Sequence, residues 1–469
     1  MNERISYLLK NVGILAISNF TSKILVFLMV PLYTSVLSTS EFGSYDIITS
    51  TITLLLPILT ANIIDGVMRF SLDSHAAKAE VAAIGLKYIT ISIILVAGLL
   101  VVVSHSSVFP EIDGLEHLIF IYYVGVAINT YFTQFAKGLE LIRDLGIAGV
   151  LSTMVAALGN VLFLLVFSWG IKGFFLANIL SLFTAIIYLG IKINIRKLIR
   201  NFYINNSLER QMIAYSCPLI ATTIGWWAIS AFDRYVVTFM CGLSANGLLS
   251  VAYKIPAILA VFQGIFISAW QITAVKEYGK SDAAVFYGRS FCVINMLMSL
   301  ICGFLILLSA TLANFLYAKD FYLAWQYVPF LLISCVFNCM GGFLGPILSA
   351  RKDSVTMAKS ALCGTATNVV LNLVLVCLMD IQGATIATAI SSYSIYQYRK
   401  SSLVNEIYFS NYEIVVLTWL LICLQAIICI YTDAFIIQIT CLLMSCFLNK
   451  QYISEAFKTI VKLSYNLIK

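Results

Sequence analysis

Runs of about twenty apolar residues recur from residue 11 to about residue 448, parted by short polar turns. Nothing else constrains the fold as tightly. As an α-helix, such a run is about 30 Å long, the thickness of a bilayer's hydrocarbon core. In lipid every backbone N–H and C=O must find its partner inside the protein, so only helices or closed barrels cross. A barrel strand would alternate polar and apolar residues, and these runs do not. The chain therefore reads as an all-α polytopic membrane protein. Its composition, 61% hydrophobic and 11% charged, is one that no soluble domain carries.

Fourteen spans are expected, near 11–38, 44–70, 81–103, 116–138, 146–168, 171–192, 210–240, 248–274, 288–312, 324–349, 357–379, 381–399, 412–432 and 434–449. The twelfth carries the polar stretch ISSYSIYQYRK. The first run follows Glu3, Arg4 and Lys10, is too long for a signal-peptide core, and has no small-residue cleavage site after it, so it reads as a retained helix. Placing the N-terminus in the cytoplasm sorts the basic residues sharply. Cytoplasmic segments and their flanks then hold 24, the other side holds only Lys172 and Lys319, and Lys23, Arg234 and Lys254 lie within spans. A missed span would scramble that split, so both termini are expected inside. The same bias accounts for most of the net charge of +7.

The halves of the chain look alike. Leu37-Ser38 with Ser44 matches Leu243-Ser244 with Ser250; Arg143 and Asn160 match Arg351 and Asn368; GFFLAN at Gly173 matches GATIAT at Gly383. Six spans per copy is an even number, so the copies share one orientation. That implies two six-helix lobes related by a pseudo-two-fold along the membrane normal, plus two C-terminal helices. The expected divisions are 1–200 (spans one to six), 201–405 (seven to twelve) and 406–469 (the last two and a cytoplasmic tail).

Charges within spans are costly and call for a reason. Asp233 and Arg234 lie about 7–8 residues from the outer end of the seventh span, roughly 10–12 Å deep, and Lys254 returns to that depth in the eighth. Asp233 has two candidate partners, Lys254 and Arg234. The bland reading is a salt bridge that fixes two helices. The functional one is an arginine fork facing a cavity, suited to phosphate. Lys23 sits mid-span with Asn19 one turn earlier; either it lines a wet cavity or it pairs with Asp65 of the second span. Asp46 either snorkels to the outer interface or joins Thr49, Ser50 and Thr53 in a polar stripe. Trp226 and Trp227, one to two turns before Asp233, either pack or stack on sugar rings.

Other chemistry finds little support. All 12 cysteines follow residue 216 within apolar runs and read as small helix residues, not a disulfide framework. The three histidines, His75, His105 and His117, show no metal-ligand spacing. No glycine-rich nucleotide loop appears, which removes an ATP-driven pump encoded on this chain alone. No nucleophile–base pair, cofactor site or nucleic-acid-binding pattern appears either.

DRYVVTFMCGLSANGLLSVAYKIP (233–256), EFGSYDII (41–48) and NVVLNLVLV…IQGATIAT (368–388) together resemble the Wzx-type O-antigen and capsule repeat-unit flippases of the multidrug/oligosaccharidyl-lipid/polysaccharide exporter superfamily. The resemblance covers essentially the whole chain. It implies two six-helix lobes in a V around a basic cavity. The implied substrate is an undecaprenyl-pyrophosphate-linked oligosaccharide, moved by alternating access across the bacterial inner membrane for O-antigen, lipopolysaccharide or capsule synthesis. Lys23, Arg234, Lys254, Asn19, Trp226 and Trp227 would meet pyrophosphate and sugars. Asp65, Asp233 and Asp46 would serve as charge partners or couple H+ or Na+. Membrane lipids, a polysaccharide polymerase and a chain-length regulator are the implied partners. The alternatives are a lipid II flippase, a cation-coupled multidrug antiporter, and a membrane polymerase or ligase. Lipid II cavities are richer in arginine near the first helix, where this chain offers only Lys23. An antiporter would carry cavity acids in excess. A polymerase would need a sizeable outer loop, and the longest here, about 104–115, is short.

Overall fold

The computed structural model describes residues 23–72, 78–106, 114–194, 205–409, 411–432 and 434–455, with the Trp226 side chain outside the description. Among these residues the regular structure is helical throughout. Helix α1 is Lys23–Val36, α2 Thr39–Leu59, α3 Ile63–Ser71, α4 Lys78–Ser106, α5 Glu116–Gly138, α6 Ile142–Val166 and α7 Gly170–Ile193. Then come α8 Asn206–Cys241, α9 Leu243–Ala252, α10 Pro256–Glu277, α11 Ala283–Leu307, α12 Ser309–Leu316, a 3₁₀ helix Lys319–Tyr327, and α13 Val328–Ala350. The chain ends with α14 Ser354–Ser402, α15 Tyr412–Tyr431 and α16 Phe435–Leu448.

Ten helices are long and apolar enough to cross a bilayer, and the bent α8 makes eleven. Helix α14 holds two arms that meet at Asp380 (φ 51°, ψ −135°), which separates the eleventh and twelfth spans. The shorter apolar helices α1 and α16 fall within the first and fourteenth expected spans, residues 11–22 of the first lying outside the described residues. The polar ISSYSIYQYRK stretch is helical as expected. Large apolar side chains stand exposed on the outer faces of these helices, among them Ile94, Val102, Leu158, Ile191, Leu378 and Ile436. Such faces suit a solvent of acyl chains.

Two spans are broken where continuous helices were expected. The second stops at Leu59 and restarts at Ile63, with Ala61 (φ 50°) and Asn62 (φ 52°) left-handed. Asn62 N–H reaches back to Pro57 O at 2.7 Å and Ala61 N–H to Ile58 O at 3.2 Å, which closes the helix end as a Schellman-type cap. The eighth span breaks between Ala252 and Pro256, because proline supplies no N–H to continue the ladder. At the N-terminus of α2, Ser38 and Glu41 form a reciprocal capping box: Glu41 N–H donates to Ser38 Oγ at 3.2 Å and Ser38 N–H to Glu41 Oε2 at 2.8 Å. Glu41 opens the EFGSYDII motif, so its first residue has a local structural role.

The chain divides into two compact units, Met1–Ala231 and Phe232–Lys469. The division falls inside α8, whereas the repeat pattern points to the 192–210 loop. In the first unit α5 is central: Tyr123, Tyr131 and Phe135 are fully buried against neighbours that include Phe175. In the second unit α13 is the most enclosed helix. Trp270 Nε1–H donates to its Phe343 carbonyl at 2.8 Å, with the two rings stacked 4.2 Å apart. The C-terminal pair is tied to α11 by buried polar bonds, from Trp419 Nε1–H to Asn295 Oδ1 at 2.7 Å and from Gln425 Nε2–H to Gly303 O at 2.9 Å.

Candidate functional site

The turn at Gly242 (φ 89°) lets α9 fold back beside the end of α8, a conformation that glycine adopts without steric cost. Asp233 lies eight residues before Cys241, about 12 Å along the helix, and Tyr253 lies ten after Leu243, about 15 Å back. The two side chains meet. Tyr253 Oη–H donates to Asp233 Oδ2 at 2.5 Å, and the Arg234 backbone N–H donates to Asp233 Oδ1 at 2.9 Å. Asp233 is only 4% exposed. The Arg234 guanidinium carbon lies 5.8 Å from the centroid of the Tyr253 ring, within cation–π range. Lys254 follows at the break that precedes Pro256, where its own N–H bonds Val251 O at 2.9 Å. Asp233, Arg234 and Lys254 together carry one negative and two positive charges at one depth.

Tyr253 is the residue that sequence reasoning missed. Attention to the formal charges pointed to Lys254, and the neutral donor stood one position earlier in the same motif.

In the first unit the Lys23–Asp65 pair, one of the two readings of Lys23, is not made. The Asp65 carboxylate accepts Nδ2–H of Asn62 at 3.0 Å and Nε2–H of Gln134 at 3.1 Å. The left-handed turn at Asn62 aims that amide at Asp65, and α5 supplies the other, so two neutral donors replace the cation. Lys23 is exposed at the start of α1. Asn19 lies outside the described residues, as does the Trp226 side chain. Trp227 packs: its indole N–H donates to the Ser50 carbonyl at 2.9 Å, joining α8 to α2. The polar stripe on α2 turns inward on its own backbone, with Thr49 Oγ1–H bonded to Asp46 O at 2.9 Å and Thr53 Oγ1–H to Ser50 O at 2.8 Å.

Two cavities among the described residues lie apart from these side chains in their lining. One, of about 300 Å³, lies among α13, the second arm of α14 and α15. Apolar residues such as Phe330, Ile386, Val416 and Leu420 line it, with Tyr393 and Trp419. The other, of about 370 Å³, lies between the C-terminal end of α4 and the N-terminal end of α5 and includes Ser104, Glu116 and His117. No group of three or more metal-ligating side chains is found among the described residues.

Residues 8–275 match the family described as polysaccharide biosynthesis protein. No curated protein sequence matches the chain. Among solved structures, "Lipid II flippase MurJ, inward closed conformation" is similar with a TM-score of 0.68 at 13% identity, over 95% of this chain and 99% of that one. An inward-facing multidrug resistance MATE family transporter of the MOP superfamily follows with a TM-score of 0.64 at 14% identity, over 82% and 95%. A MOP superfamily transporter from Pyrococcus furiosus, titled for the reverse polarity of its binding pocket, has a TM-score of 0.54 at 12% identity, over 85% and 96%. At these identities the likeness is one of fold.

Proposed function

Because the chain belongs to the family of polysaccharide biosynthesis proteins, whose multi-pass fold here is that of MOP-superfamily transporters, we propose that it is a flippase for an undecaprenyl-pyrophosphate-linked oligosaccharide repeat unit, working by alternating access in the bacterial inner membrane with both termini in the cytoplasm. The observation that carries this reading is the group at the end of α8. Asp233 accepts the Tyr253 hydroxyl, and the motif sets two bases, Arg234 and Lys254, beside this single acid in the sequence. Excess positive charge inside a span is expensive unless an anion visits it. A pyrophosphate brings two to three negative charges and acceptor oxygens in the geometry that an arginine fork matches bidentately.

In this mechanism Arg234 and Lys254 hold the pyrophosphate, and Tyr253 orients Asp233 beside them. Lys23 and Asn19 of α1 and the preceding segment act on the same headgroup. Trp226 meets the sugars, and Trp227 positions α8. The cavity among α13, α14 and α15 has the apolar lining that a hydrocarbon chain requires. A drug antiporter would need acids in excess at this depth, and the group has the opposite balance. The repeat-unit class also makes a polymerase and a chain-length regulator natural partners, with Asp65 or Asp233 as the place for a coupling H+ or Na+.

The test is surface polysaccharide in cells that lack the native copy and express Arg234→Ala or Lys23→Ala at normal protein levels. Loss of polysaccharide in both supports the reading. Unchanged polysaccharide in both removes the phosphate–cation mechanism.

A further inference from the structure

The first two-thirds of α8 presents a conflict between sequence and structure. By the internal repeat, residues from 206 onward open the second copy. By packing, they belong to the first compact unit, which extends to Ala231. Met212 is fully buried in that unit's core, with Leu208 and Ile213 packed against it. A segment of the second copy is thus seated in the first unit.

The seat is shallow. Gly66 of α3 faces Ser216 of α8 so closely that a Cβ on Gly66 would meet Ser216 Oγ at 2.4 Å. Two small residues thus meet flush, one turn from the buried Met212. Phe70 and Tyr215 touch edge to face, with centroids 5.9 Å apart. The strongest single bond is polar and lies at the segment's start: Lys87 Nζ–H donates to Glu209 Oε1 at 2.7 Å, and Tyr88 Oη–H donates to the same oxygen at 2.9 Å. Both donors come from α4, and Glu209 is 8% exposed. Beyond the seat, α8 bends by 45° between its 206–225 and 227–241 parts. Gly225 at the bend has nothing among the described residues within 4 Å of where a Cβ would stand, so they leave the pivot open.

We propose that residues 206–225 form a strap that docks on and leaves the first unit during the transport cycle, pivoting at Gly225, with Lys87, Tyr88 and Glu209 as its catch. The proposal rests on the alternating-access reading for its purpose, and on the contacts above for its geometry. A charge-assisted pair of this kind suits the role because water can replace both partners once the strap lifts, whereas an interlocked apolar seat would hold it closed.

The contact gives its own probe. The Cβ position at Gly66 lies 3.8 Å from Ser216 Cβ, the usual Cβ separation across a disulfide. In membranes carrying the full chain, Gly66→Cys/Ser216→Cys is oxidised with copper phenanthroline and the linked peptide pair is measured by mass spectrometry. Each single-cysteine variant reports any reaction with the native Cys217. The pair is expected to cross-link in high yield. Adding Lys87→Glu or Glu209→Lys is expected to lower the initial rate about tenfold, the effect of losing one charge-assisted bond. Combining them as Lys87→Glu/Glu209→Lys is expected to restore it. Oxidation is expected to halt polysaccharide export in cells, and reduction to resume it.

Equal rates in all four backgrounds, or undiminished export from the oxidised pair, would overturn the proposal, as would absence of any cross-link. The charge-reversal arm needs no substrate. If its rates shift as stated while the parent chain supports no polysaccharide, the strap stands and the substrate reading falls.

Discussion

Tyr253 and Asp233 are joined across the turn at Gly242 by a hydrogen bond of 2.5 Å from the phenol to the carboxylate. The phenol thereby supplies one of the donors to a buried acid inside a span. Removing the hydroxyl with Tyr253→Phe leaves a buried carboxylate oxygen short of a donor, at a cost of about 1–3 kcal/mol. The expected outcome is a lower unfolding midpoint in detergent. Asp233→Asn in the same chain is expected to recover part of the loss, because a neutral amide needs the phenol less. Additive effects of the two changes would mean that the bond contributes nothing, and a double-mutant cycle measures this directly.

Two glycines separate contact from mere flexibility. A Cβ at Gly288 of α11 would lie 1.8 Å from the Tyr408 carbonyl oxygen, in a segment that also bonds back to α11 from Tyr408 N–H to Ala284 O at 3.0 Å. Gly288→Ala must push that segment away and is expected to destabilise by about 1–3 kcal/mol, as overpacking does. Gly264 of α10 has nothing within 4 Å. There Gly264→Ala is expected to be neutral or to stabilise by up to about 1 kcal/mol through helix propensity. Thermal unfolding of both variants checks the contrast.

The short turn between α13 and α14 sets a pH dependence. Asp353 caps α14, and its carboxyl is pulled down to about 2 by the Thr356 hydroxyl and backbone N–H, then by Arg351. Arg351 also bonds Glu406 Oε1 at 2.6 Å and the Ser402 carbonyl at 3.0 Å. The folded value lies below the unfolded value of 3.8. The stabilisation is therefore complete above the unfolded value and disappears as pH falls through about 2. Asp353→Asn is expected to flatten this part of an acid-unfolding curve and to leave the curve's shape near neutrality unchanged. A parallel shift at all pH values would contradict the assignment.

The features legible in the sequence were those set by the bilayer. Length and apolarity located the spans, and the Lys/Arg split counted them, because both report the cost of moving charge or bare backbone into lipid. The breaks were less legible. The cap at Ala61 and Asn62 depends on a left-handed alanine, a position where glycine is the usual signal. Pro256 was visible, but a proline alone does not say whether a span bends or stops. At the site, charge was the main guide, so Asp65 was considered as a partner for Lys23 although two amides serve that carboxylate. Lys87 was counted for topology and its bond to Glu209 was not foreseen, since 122 residues part them. Such partners follow from tertiary packing, which no local pattern encodes.

The central claim is that positive charge inside the seventh and eighth spans serves a pyrophosphate-bearing lipid. The most direct measurement places the purified chain in liposomes with a labelled undecaprenyl-pyrophosphate oligosaccharide and follows how fast the label in one leaflet becomes accessible from the other side. The parent chain is expected to accelerate transfer well above protein-free liposomes, Arg234→Ala to return it to that background, and Arg234→Lys to retain part. Transfer at the background rate with the parent chain, or at the parent rate with Arg234→Ala, would contradict the account.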